Sequence, residues 1–134
     1  FARIDAAGGA VFFAAGVFYY FLTEQVRTLV QKMAAAFPGG RLVFDAANQK
    51  AVKLMLKTWI RDAEIREVGA YFAVSDAKKE LSPWAAGLRV SSRGYMLGYH
   101  DLKDPSVSRL FRFMAKVGDR KMAMQIVQLT FGEA

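Results

Sequence analysis

Tyr19, Tyr20, Asp45, Asn48, Arg93, Tyr95, Tyr99 and His100 are the residues of this chain whose polar chemistry falls at the ends of apolar segments. Tyr19 and Tyr20 close a run of apolar residues, and Asp45 ends a second run, with Asn48 three positions on. Tyrosine hydroxyls and one carboxylate at the mouth of an apolar surface suit the holding and orienting of a small molecule. The alternatives are that the tyrosines are packed aromatics with wet hydroxyls and that Asp45 caps a helix. Arg93, Tyr95 and Tyr99 are candidates to close such a pocket. His100 is the only imidazole, hence the one base ready near neutral pH; with no evident partner in sequence, it reads as a surface histidine. No serine sits in a nucleophile elbow, which removes a hydrolase reading. Zero cysteines and no clustered ligands remove a disulfide framework, a thiolate nucleophile and a zinc site.

The elements that must position these residues are organised around Gly9 to Phe21. Ala10 to Ala15 is an unbroken apolar run, the pattern of a parallel strand covered on both faces. Gly16 interrupts it, and an aromatic shelf follows before a helix capped by Thr23, with Glu24 in its first turn. Val26, Leu29, Val30, Met33 and Phe37 form one apolar stripe, ended by Pro38-Gly39-Gly40. Arg41 to Asp45 is a second buried-type strand, so strand, helix and strand form a parallel crossover. In an open α/β sheet ligands bind at the carboxyl ends of the strands. Ala15 to Tyr20 and Asp45 to Asn48 therefore fall together.

A second amphipathic helix is predicted from Gln49 to Ile60, with Val52, Met55, Leu56, Trp59 and Ile60 on one side and lysines on the other. Arg61 to Val74 is ambiguous: helix could continue to Arg66, and Tyr71 to Val74 could be an extended stretch. Ser75 or Asp76 caps a short helix that carries Leu81 and Trp84 and is interrupted at Pro83. Leu88 to Ser92 alternates like a strand. Asp104 and Pro105 read as N-cap and first helical residue, Val107, Leu110, Phe111 and Met114 as a buried stripe, and Gly118 as the C-cap. Lys121 to Phe131 reads as a long interior strand, apolar on both faces.

At 134 residues, with 54% hydrophobic and 23% charged residues, the chain suits one globular domain. No apolar run reaches the roughly 18 residues a bilayer requires. There is no secretory leader pattern, and a cytoplasmic location is the expectation. The net charge of +7 raises the question of nucleic acid or an anionic membrane. Lys50, Lys53, Lys57 and Arg61 fall on one helix face, and Arg109, Arg112, Lys116, Arg120 and Lys121 spread over another helix and its following turn. Solvated helix faces explain both groups, so neither nucleic acid nor membrane is expected as a partner. Gly8-Gly9 precedes the first strand and so is not a cofactor-holding turn; the chain is expected to be part of a larger protein.

With these segments laid out, Phe13-Ala14-Ala15-Gly16-Val17-Phe18-Tyr19-Tyr20-Phe21, Thr23-Glu24, Phe37-Pro38-Gly39-Gly40 and Arg41-Leu42-Val43-Phe44-Asp45 resemble the second half of the leucine carboxyl methyltransferase family. That family includes the tetracenomycin-type polyketide O-methyltransferases. Glu80-Leu81-Ser82-Pro83-Trp84, Val90-Ser91-Ser92-Arg93-Gly94-Tyr95 and Met124-Gln125-Ile126-Val127 resemble its closing segments.

The resemblance implies a Rossmann-like class I fold with sheet order 3-2-1-4-5-7-6 and an antiparallel seventh strand. Ala10 to Ala15, Arg41 to Asp45, Leu88 to Ser92 and Lys121 to Phe131 would be strands four, five, six and seven, with helices on both faces. It further implies an S-adenosylmethionine-dependent methyltransferase acting on a hydroxyl or carboxyl of a small, polyketide-like acceptor. Ala15, Gly16 and Tyr20 would face the cofactor, and Phe18, Tyr19, Asp45, Asn48, Arg93 and Tyr95 the acceptor. Ala15 stands where the family often has a carboxylate, and the family's strand-one glycine motif and strand-two acid are not in this sequence. The chain alone is accordingly expected to be inactive. Two other readings remain: an interaction module that associates with a protein or with itself through an open sheet edge, and an electron-transfer or nicotinamide domain.

Overall fold

The structure, a computed structural model, describes residues 1–59, 71–94 and 104–133. Four strands form one mixed sheet: β1 (Val11–Ala14), β2 (Arg41–Ala46), β3 (Arg89–Gly94) and β4 (Gln125–Thr130), in the order β1-β2-β4-β3. β1 and β2 are parallel, while β4 runs antiparallel to both of its neighbours. Four α-helices accompany them among the described residues: α1 (Thr23–Ala36), α2 (Gln49–Trp59), α3 (Ala77–Leu81) and α4 (Arg109–Lys121). The last strand in sequence therefore lies between the second and third, as expected.

Alternation along β2 sets the two sides of the sheet. Leu42, Phe44 and Ala46 are buried, while Arg41, Val43 and Asp45 point the other way. Val127 and Leu129 of β4 join the buried side, and α1 lays Val26, Val30 and Met33 on it, with Phe37 just beyond its end. Phe44 packs its ring against Phe18 and Phe72, with centroids 5.1 and 5.8 Å away. The predicted stripe of α1 is thus the one that builds the core. Gly40 joins α1 to β2 where a β-carbon would stand 2.9 Å from the Phe37 carbonyl oxygen, so the close approach admits only glycine.

Several boundaries differ from the sequence expectation. β1 spans Val11–Ala14 and is not covered on both faces: Val11 is exposed, and Phe13 is 77% exposed. An apolar run states what a strand tolerates, and here no described helix covers its outer side. Leu22, not Thr23, is the N-cap of α1, and its N–H donates to Gln25 Oε1 at 2.9 Å. α4 starts after Ser108, whose Oγ accepts the Phe111 N–H at 3.1 Å, because Asp104 to Ser106 is a separate turn. Helix α4 runs through Gly118 to Lys121, and β4 starts at Gln125. The stripe expected to be buried on α4 is exposed at Leu110, Phe111 and Met114; Ala115 is its buried residue. Of the two cap candidates for α3, Ser75 and Asp76, it is Asp76 that caps it, accepting the Lys79 N–H at 3.1 Å.

Candidate functional site

A cavity of about 640 Å³ opens at the carboxyl ends of β1 and β2. β1 and the turn after it contribute Phe13, Ala14, Ala15 and Gly16; the short 3-10 turn Phe18–Tyr20 contributes Tyr19 and Tyr20; β2 contributes Val43, Phe44 and Asp45. Met55 of α2 and Met124 and Ile126 at the start of β4 complete the wall. Aromatic, aliphatic and thioether surface surrounds one carboxylate.

Gly16 makes the turn possible. Its φ of 65° lies in the left-handed region that side chains disfavour, and this releases the chain from β1 toward Tyr19. Its N–H donates to Asp45 Oδ1 at 2.7 Å, and the Tyr19 hydroxyl donates to Asp45 Oδ2 at 2.8 Å. Each carboxylate oxygen thus holds one donor from the segment after β1, and its remaining lone pairs are available to a ligand. Tyr19 is buried on the far side, against Ala47, Val52 and Leu56.

The residues expected to face a cofactor, Ala15, Gly16 and Tyr20, line the cavity, as do Tyr19 and Asp45 from the acceptor set. Phe18 does not: it is in the core, with its ring against Phe44 and Phe72. Asn48 is taken up as a clamp. Its Oδ1 accepts the Ala51 N–H at 3.0 Å at the start of α2, its Nδ2 donates to the Lys121 carbonyl at 2.6 Å, and its N–H donates to the Met122 carbonyl at 2.8 Å.

Arg93 lies on the same side of the sheet as Asp45, since Ile126 is in register with both. Two strand spacings separate them, about 10 Å. Arg93 lines an adjoining cavity of about 440 Å³ with Ser91 and Gln128, and Val43 and Ile126 belong to both cavities. Tyr95, Tyr99 and His100, with Ile60 and Arg61, lie outside the described residues.

Met55, Met124 and Ile126 were not foreseen in the site. The apolar stripe of the second helix marks Met55 as core, and the interior-strand pattern of Lys121 to Phe131 offers no sign that one face ends in a cavity. Gln125 was not foreseen as a buried polar residue either. Its Nε2 donates to the Val74 and Ser75 carbonyls, both at 3.3 Å, fixing the start of β4 beside the cavity. Among the described residues no group of three or more His, Cys, Asp or Glu is placed to hold a metal ion. No described helix is long and apolar enough to cross a membrane. No known protein-family model matches the sequence, and comparison with curated proteins gives no match.

Proposed function

We propose that the chain forms the acceptor side of an S-adenosylmethionine-dependent O-methyltransferase with a Rossmann-like class I fold, acting on a small, polyketide-like molecule. The observation that carries this reading is the sheet: β1-β2-β4-β3, with β4 antiparallel and inserted between β2 and β3. This is the arrangement that the resemblance implies for strands four, five, seven and six. The cavity also lies at the strand ends where such sheets bind ligands.

Methyl transfer from a sulfonium to an oxygen asks for an in-line approach in a dry pocket, and positioning supplies much of the rate. S-adenosylmethionine, when bound, supplies the electrophilic methyl group. The residues present fit one wall of its site. A β-carbon on Gly16 would meet no atom within 4 Å, so the turn leaves space beside Ala15 and the Tyr20 ring for a flat group. Asp45, braced by Gly16 and Tyr19, would orient an acceptor. The family's strand-one glycine motif and strand-two acid, which hold most of the cofactor there, are not among these 134 residues. Because the chain alone is expected to be inactive, the reading is tested by fusing it to a cofactor-binding half of the same family and incubating the folded fusion with tritiated S-adenosylmethionine and a panel of phenols and carboxylic acids. Label should pass to an acceptor, and a folded protein that labels none of them sinks it.

A second reading is favoured by the exposed apolar surface. Val11 and Phe13 leave the outer side of β1 uncovered, and Leu110, Phe113 and Met114 are exposed on α4. An open strand edge with apolar side chains is a template for association. On this reading the chain is a non-catalytic module that binds a protein or a second copy of itself. Sedimentation equilibrium that returns a monomer at high protein concentration would rule out self-association.

A further inference from the structure

The cavity at Asp45 has a charge character opposite to that of the chain as a whole. The chain carries a formal charge of +7, yet among the described lining residues the one charged side chain is the Asp45 carboxylate. The nearest cation on that sheet face in register with Asp45 is Arg93, on the far side of Ile126 and in the adjoining cavity. The carboxylate is half-buried, and the donors it accepts from, the Gly16 N–H and the Tyr19 hydroxyl, are neutral. They orient the anion, and no ion pair with another described residue offsets its charge. Around it stand the rings of Phe13, Tyr19 and Tyr20 and the thioethers of Met55 and Met124. Aromatic faces attract cations through their quadrupole, more strongly when water is excluded. A fixed carboxylate in an apolar wall gains most from a charged donor.

We propose that this cavity binds an apolar organic ammonium, a ring or short hydrocarbon body bearing a protonated amine, with the ammonium on Asp45 and the body against Phe13, Tyr20 and Met55. The inference deepens the acceptor reading, because it disfavours a carboxylate at Asp45 and so selects an amine-bearing alcohol over an acid. It rests on that reading only for the acceptor's place in methyl transfer. Binding at the cavity is an equilibrium property, so its test stands apart from the test for transfer.

The test is a matched series on one ring: 1-naphthylmethylamine, 1-naphthalenemethanol and 1-naphthylacetate, titrated into the chain by calorimetry at neutral pH. The amine should bind at least tenfold more tightly than the acetate, with the alcohol between. Asp45→Asn should bring the amine level with the alcohol. Because that variant also disturbs the bonds from Gly16 and Tyr19, Met55→Lys provides an independent check: a cation in the wall should invert the ranking to favour the acetate. Equal binding of amine and acetate, no binding of any of the three, or an unchanged ranking in a folded Met55→Lys protein would each overturn the proposal.

Discussion

Tyr19 and Asp45, 26 positions apart in sequence, are joined by a 2.8 Å hydrogen bond from the tyrosine hydroxyl to the carboxylate. The bond fastens the turn after β1 to the end of β2, so it should contribute to stability as well as to the cavity's shape. Tyr19→Phe keeps the buried ring and removes the donor; urea unfolding should show a loss of about 1 kcal/mol. Asp45→Ala leaves the Gly16 N–H and the tyrosine hydroxyl without their acceptor and should cost about 1–3 kcal/mol. The double variant should cost less than the sum. Strict additivity would mean that the two residues do not interact in solution.

The two faces of the sheet should respond differently to truncation. Phe44 is 2% exposed and packed against two other rings, so Phe44→Ala should lose about 3–5 kcal/mol. Phe13→Ser, on the uncovered side, should change the stability of the isolated chain by less than about 0.5 kcal/mol. A large loss at Phe13, measured by chemical denaturation at low protein concentration, would mean that its ring is covered in solution.

Asp104 carries the pH prediction. The Ser106 hydroxyl and N–H donate to its Oδ1 at 2.6 and 2.8 Å, and these bonds, with a smaller attraction from Arg112, hold its carboxyl below the ordinary value. A depressed carboxyl stabilises the fold above its unfolded pKa and loses that contribution as pH falls through the folded value. The native protein should therefore exceed Asp104→Asn in stability near neutrality, and the gap should close only below about pH 3.9. Carboxyl carbon shifts of Asp104 followed by NMR should report the low midpoint, and Ser106→Ala should raise it. A midpoint unmoved by Ser106→Ala would contradict the assignment.

Backbone conformation gives a pair of opposite outcomes. Ala123 has a φ of 46° in the connection from α4 to β4. The left-handed region costs an alanine about 1–2 kcal/mol, so Ala123→Gly should raise stability by about 0.5–1 kcal/mol after glycine's entropic penalty. Gly40→Ala should lower it by about 1–3 kcal/mol, since the new methyl meets the Phe37 and Ala10 carbonyl oxygens at 2.9 and 3.2 Å. Thermal melts of the two variants should move in opposite directions.

The strand and helix order was legible because periodicity records it: Val26, Val30 and Met33 on α1, and alternation at Leu42 and Phe44, can be read without coordinates. What covers an apolar surface cannot be read in this way. The hydrophobic pattern of Val11 and Phe13, or of Leu110 and Met114, is the same whether or not a neighbour packs on it. The site was legible at its strand ends, where the topology brings Gly16, Tyr19 and Asp45 together. The division of labour between Asp45, which faces the cavity, and Asn48, which clamps α2 to α4, was not. Both are polar residues at the end of β2, and only the hydrogen bonds distinguish them.

β4 is the last strand of this chain to leave the ribosome, and it occupies an interior place in the sheet, between β2 and β3. β1, α1 and β2 can assemble as soon as they emerge, but β3 has no partner until β4 arrives. At roughly 5–20 residues per second, the interval between the two strands lasts about two to six seconds. During that time β2 and β3 both present unpaired backbone to solvent or to a chaperone. The topology thus makes the C-terminal strand the keystone of translation-coupled folding: a nascent chain cut short before Gln125 holds two unjoined halves of a sheet, and quality control would meet an aggregation-prone product.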